Sequence, residues 1–175
     1  MASATQGIRF VLALVILASF GTADAVAETP QGPVSGLPVP RFVSIKSDRV
    51  NVRNGPTKDH DVAWVFTRAG LPVEITAEFE NWRRVRDGEG AEGWVYHSLL
   101  TGKRTAIVNP KPRDELVPLC ARPEDPCLMQ ARLQAGVLAA IRSCTGSWCR
   151  ISGTDFDGWV AQERLWGVYP NEKID

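Results

Sequence analysis

A chain of 175 residues fits one ordinary domain or two small ones. Its 20 Lys and Arg balance 20 Asp and Glu, so a formal net charge of zero offers no field to draw in nucleic acid or an acidic membrane, and no nucleic-acid partner is expected. With 15 Gly, 12 Pro and 6 Trp punctuating short apolar runs rich in Val and Ile, the composition leans to an all-β fold.

The first element is an apolar run at residues 10–20 (FVLALVILASF), preceded by Arg9 and the amino terminus. It is well short of the roughly 20 residues that span a bilayer, but it suits the core of a secretory signal. Two overlapping small-x-small sites follow, Ala23-Asp24-Ala25 and Ala25-Val26-Ala27. Cleavage is expected after Ala27, with Ala25 as the alternative, so residues 1–27 read as a signal peptide and the mature protein as periplasmic or secreted. No stable membrane anchor would remain after cleavage; an uncleaved anchor is the competing reading. Residues 28–40 follow as a linker, because the stretch 29–40 (TPQGPVSGLPVP) holds four prolines and two glycines without apolar periodicity, the mark of an extended segment.

From Arg41 the texture changes to short apolar segments separated by turn residues, and these segments repeat. Residues 50–56 (VNVRNGP) run parallel to 117–123 (VPLCARP), and 69–75 (AGLPVEI) to 135–141 (AGVLAAI). Trp82 then matches Trp148, Gly93-Trp94-Val95 matches Gly158-Trp159-Val160, and Leu100 matches Leu165. The mature chain therefore reads as two copies of one unit, residues 41–105 and 106–175, each with its own apolar strands. A unit this small is best stabilised by closing short strands into a barrel. Residues 71–77, 82–86 and 94–96 form its central meander. Residues 128–138 suit a short helix or a strand; their match to 62–71, where Val62, Trp64 and Phe66 alternate, favours strand and sets Gln130 and Arg132 opposite Trp64 and Phe66.

The motifs VNVRNGP, GLPVEI, NWRRV, EGWV and LLTGKRTAIV, with WCRI, DGWV and LWGVYP near the end, resemble the bacterial SH3-like domain family in its tandem periplasmic form. The resemblance implies two tandem small SH3-like β-barrels. Because family members are often cell-wall targeting or ligand-binding modules, it also implies a binding role.

All four cysteines lie in the second copy, and an exported chain would pair them. Superposing the copies sets Cys144 over Glu78 and Cys149 over Arg83, so an ion pair and a cysteine pair occupy the same hairpin. Facing residues on a hairpin have Cβ atoms about 4.5 to 5.5 Å apart, close to disulfide geometry, which favours Cys144 with Cys149. Cys120 and Cys127 then pair by elimination, the alternative being cross-links from these two to the hairpin. A zinc site is the other reading, but spacings of seven and five do not match the usual paired ligands. No metal or cofactor is expected.

The two histidines, His60 and His97, belong to the first copy, away from any thiol, and no nucleophile or phosphate motif accompanies them. The carboxylates Glu78, Glu80, Asp87, Glu89 and Glu92 fall at turns and hairpins and are expected to be solvated. No enzyme is expected. The candidate binding residues are aromatic: Trp64, Phe66, Trp82, Tyr96 and Trp148. Trp94 and Trp159 are expected in or near the core, and Trp166 and Tyr169 on a tail that folds back on its own barrel or its neighbour. The leading expectation is recognition of cell-wall peptide, peptidoglycan or a protein segment through an aromatic-lined surface. The alternative is a structural or assembly protein whose barrels contact an envelope protein.

Overall fold

The computed structural model describes residues 30–175, so the apolar run and the cleavage sites lie outside the described residues. The first copy comprises β1 (Arg41–Ile45), β2 (Val50–Arg53), β3 (Val62–Phe66), β4 (Pro72–Phe79), β5 (Trp82–Arg86), β6 (Glu92–Tyr96) and β7 (Leu100–Thr101). The second comprises β8 (Thr105–Val108), β9 (Val117–Cys120), β10 (Met129–Leu133), β11 (Leu138–Thr145), β12 (Trp148–Ser152), β13 (Asp157–Ala161) and β14 (Leu165–Trp166), with a short β15 (Lys173–Ile174) on β11. One 3-10 turn, His97–Leu99, precedes β7, and another, Gln162–Arg164, precedes β14.

The two sheets have the same path, β3-β2-β6-β5-β4-β1-β7 and β10-β9-β13-β12-β11-β8-β14. The internal repeat is thus a repeat of topology: the fold is all-β, two tandem SH3-like units. Alternation along each strand builds the cores, since successive side chains point to opposite faces. Val50 and Val52 of β2, Val85 of β5 and Val95 of β6 are fully buried in the first core, as are Ile151 of β12 and Val160 of β13 in the second. Trp94 and Trp159 are half-buried on the opposite, outward face from Val95 and Val160.

The strand reading of residues 128–138 holds, but its alignment needs one correction. Val50 and Val52 face Phe66 and Trp64, whereas Val117 and Leu119 face Leu133 and Ala131. The counterparts of Trp64 and Phe66 are therefore Ala131 and Leu133, not Gln130 and Arg132. The single-residue length change falls in the turn after the strand, and with a period of two, one residue of slip exchanges the faces.

Both disulfides join the favoured partners, Cys144 with Cys149 and Cys120 with Cys127. Cys144 faces Cys149 across β11–β12 as Glu78 faces Arg83 across β4–β5. Replacing Cys144 and Cys149 together by alanine is expected to cost the second copy about 2 kcal/mol, the loop-closure value for so short a ring. Chemical denaturation of the native protein and the variant checks this, and an unchanged unfolding free energy would contradict it.

The Pro/Gly-rich segment before β1 turns back on itself instead of running extended. Gln31 bridges Pro38, and the Gly32 amide donates to Leu37 O at 2.8 Å. Its anchor is Glu78, expected to be solvated but with its side chain fully buried. The Glu78 carboxylate accepts hydrogen bonds from the amides of Val34 and Ser35, from Ser35 Oγ at 2.6 Å and from Arg41 at 2.8 Å. Arg83 lies 3.3 Å away as an ion partner. A Cβ on Gly32 would stand 2.5 Å from this carboxylate, so the turn needs glycine there.

The tail after β14 folds onto the neighbouring copy. Trp166 donates its indole hydrogen to Pro72 O at 3.3 Å, and the Tyr169 hydroxyl donates to Glu74 Oε1 at 2.9 Å. Phe42 of β1 is enclosed between Trp166, edge-on at 5.0 Å, and Tyr169 at 4.7 Å. Arg104 pairs with Glu172 at 2.7 Å and donates to Gly167 O. Gly167 sits at φ +119, where a Cβ would meet Thr105 O, so glycine permits this close approach.

Candidate functional site

In β2 the buried Val50 and Val52 force their neighbours outward, so Arg49, Asn51 and Arg53 share one solvent-facing row. β5 and β6 extend that surface: Trp82 faces Tyr96 across the ladder, with their rings edge-to-face at 5.5 Å. The loop between β2 and β3 brings in Lys58, and the 3-10 turn adds Ser98 and Leu99. Together these eight side chains line an open groove of about 480 Å³.

The floor of this groove is rigid. Trp82 is only 8% exposed and Tyr96 is half-buried, so the aromatic pair loses little conformational freedom on binding. Arg53 is held by a bond from Nη1 to His60 O at 2.6 Å, which leaves its remaining N–H groups for a ligand. Arg49 and Lys58 are exposed at the rim. Three cations and no carboxylate line the groove.

The second copy has a hollow of about 580 Å³ beside Trp148, Ala161 and the turn residues Gln162 and Glu163, and no residue of β9 lines it. Its own tail forms the far wall through Val168, Pro170 and Asn171. Gln162 ties that wall in place, donating from Nε2 to Tyr169 O and Glu172 O at 2.7 and 3.0 Å.

Of the five aromatic candidates, the structure brings Trp82 and Tyr96 together in one groove and places Trp148 at a separate hollow of the second copy. Trp64 and Phe66 point inward from the edge strand β3 and pack against the first core, with the Trp64 indole nitrogen buried and without a hydrogen-bond partner. Phe66 also lines a cavity of about 420 Å³ between the copies, with Leu71, Pro72, Val108 and Trp166. The sequence reading missed Arg49, Arg53 and Lys58. Alternation with Val50 and Val52 carried a signal for the two arginines, but nothing local placed Lys58 beside Trp82.

Other titratable groups are tied to structure. Burial pushes the Glu78 carboxyl up, but Ser35, Arg41 and Val34 more than offset this and hold it at about 2. Burial, then the bond to Glu74, raises the Tyr169 phenol above its ordinary value. Among the described residues, no three His, Cys, Asp or Glu are grouped to hold a metal ion.

A family model described as bacterial SH3 domain matches the chain twice, over residues 46–102 and 113–167. No curated protein matches it. Among solved structures it is similar to NlpC2 and NlpC1 from Trichomonas vaginalis, each 12% identical with a TM-score of 0.34. These alignments cover 73% and 77% of this chain and 48% of each NlpC chain, so the protein spans about half their length. It is also similar to the structure titled Endolysin LysPBC5 CBD, at 18% identity and a TM-score of 0.30, over 79% of this chain and 96% of that one.

Proposed function

The chain belongs to the bacterial SH3 domain family, and from that premise we propose that it is an exported, non-catalytic module that binds cell-wall peptide through the Trp82–Tyr96 groove. The observation that carries this reading is the groove itself: a rigid aromatic floor bordered by Arg49, Asn51, Arg53, Lys58 and Ser98. Aromatic faces take up the apolar parts of an extended peptide, while amide, hydroxyl and guanidinium groups meet its polar backbone. Such a set of groups holds a ligand without transforming it. Two disulfides in the second copy support export, since they persist in an oxidising compartment.

Co-sedimentation with purified peptidoglycan tests the reading. The protein should be retained, and Tyr96→Ala should weaken retention about tenfold, the loss typical of an aromatic anchor. Tyr96 is half-buried on the outward face, so its removal leaves the core intact. Trp148→Ala serves as the comparison in the other copy. Absence of retention, together with capture of one envelope protein by crosslinking, would favour an assembly role instead.

A further inference from the structure

We propose that the hollow beside Trp148 is a second binding site, one that takes a primary alkylammonium group of the kind a lysine side chain carries. It is separate from the Trp82–Tyr96 groove, and its assignment does not depend on what the groove binds. One difference between the copies opens it. Trp82 faces Tyr96 and packs edge-to-face with it, whereas Trp148 faces Ala161. A methyl group opposite an indole leaves much of the ring uncovered, and Trp148 is half-buried where Trp82 is buried. Leu165 and Val168, both buried, line the same hollow, so an aromatic face and an aliphatic wall stand together.

The side chains that distinguish this hollow are acceptors. Gln162 lines it while only 5% exposed. Its Nε2 donates to Tyr169 O and Glu172 O, which fixes the orientation of the amide, since the reverse would set Oε1 against two carbonyl oxygens. Oε1 is left as a buried acceptor without a hydrogen-bond partner, a costly state for such a group. At the rim stands Glu163, the one charged residue among those lining the hollow, with its side chain 78% exposed. Arg164 lies 3.4 Å from it but also pairs with Glu115 through Nη1, so the Glu163 carboxylate keeps room for a second cation. A ligand for this set needs an apolar stem and a donating, cationic end. An ammonium on an aliphatic chain supplies both: its charge is attracted to the face of Trp148 and to Glu163, its N–H groups bring the donor that Oε1 lacks, and its methylenes lie along Leu165 and Val168. An anion would meet the Glu163 charge, and a purely aliphatic chain would leave Oε1 unpartnered. The compact head of an ammonium, with three donors, also suits these two acceptors better than the five-donor plane of a guanidinium.

Titration of the protein, followed by NMR, tests this with three probes: Nα-acetyl-lysine N-methylamide, its Nε-acetylated form, and the free diamine cadaverine. The lysine probe should shift the Trp148 indole N–H and the Gln162 side-chain amide. Acetylation of its amine removes the charge and should weaken binding about tenfold, as loss of a cation–π contact and an ion pair implies. Glu163→Gln, a change at an exposed position, should weaken the lysine probe about threefold, the loss of a rim ion pair. Ala161→Tyr, which copies the first copy's residue, should cover the Trp148 ring and abolish binding, while Tyr96→Ala should leave binding at Trp148 unchanged. A lysine probe that binds at least as tightly as the diamine identifies a peptide-borne side chain as the ligand. A diamine that binds tighter than its two equivalent ends explain identifies a free amine, with ammonium selection intact. Equal binding of the acetylated probe would overturn the proposal. So would shifts confined to Trp82 and Tyr96, or no shift at Trp148 with the lysine probe at about 10 mM, enough to populate a site of millimolar affinity.

Discussion

Glu78→Gln is expected to cost about 3 kcal/mol, because it breaks a buried charge site at which every partner is a donor or a cation. An amide keeps the shape of the carboxylate but replaces one acceptor oxygen with an NH2 group, which would confront the Val34 and Ser35 amides or Arg41 and Arg83. The pair at Glu78 and Arg83, expected on sequence grounds to be a surface contact contributing about 0 to 1 kcal/mol, is buried and anchors the turn before β1. The same site predicts a pH dependence. Its carboxyl falls from 4.5 to about 2 on folding, so the ionised form stabilises the native state. That contribution, roughly 3 kcal/mol at most, is complete above pH 4.5 and is lost as the pH falls toward 2. Urea unfolding across this window, read at tryptophans of the first copy, should show a steeper acid loss in the native protein than in the variant. Parallel curves for the two would show that Glu78 is not the group responsible.

Phe42→Ala is expected to cost about 3 to 5 kcal/mol, the usual range for emptying a buried aromatic site, and to uncouple the two copies. Phe42 is 7% exposed, and part of its cover comes from Trp166 and Tyr169 of the other copy. The Arg104 guanidinium adds a contact 6.0 Å from the ring centre. Removing the ring takes an apolar contact from both Trp166 and Tyr169 and leaves their polar bonds to Pro72 and Glu74, with Trp166 still beside Gly88. Calorimetry should therefore show one transition in the native protein and two in the variant. A single transition lowered in temperature would mean that the remaining contacts, among them Thr105 to Gly70 O and Ser44 with Thr105, suffice to hold the copies together. The Trp82–Tyr96 groove shares no lining residue with this seam, and the binding proposed for it should be unchanged.

The duplicated topology and the hairpin that carries Cys144 and Cys149 were legible in the amino-acid order. These features depend on period-two alternation and on turns a few residues long, which are written locally and twice over. Even the misplacement of Gln130 and Arg132 has a local cause: the missing residue lies in a turn whose length the pattern does not reveal. The burial of Glu78, the assembly of Arg53 and Lys58 around the aromatic pair, and the docking of Tyr169 on Glu74 were decided only by the tertiary structure. Ser35 reaches Glu78 across 43 positions and Tyr169 reaches Glu74 across 95. At such separations a charge in a hairpin reads as solvated, because the groups that bury it enter from elsewhere in the chain, and only the packed fold brings their donors within hydrogen-bond range.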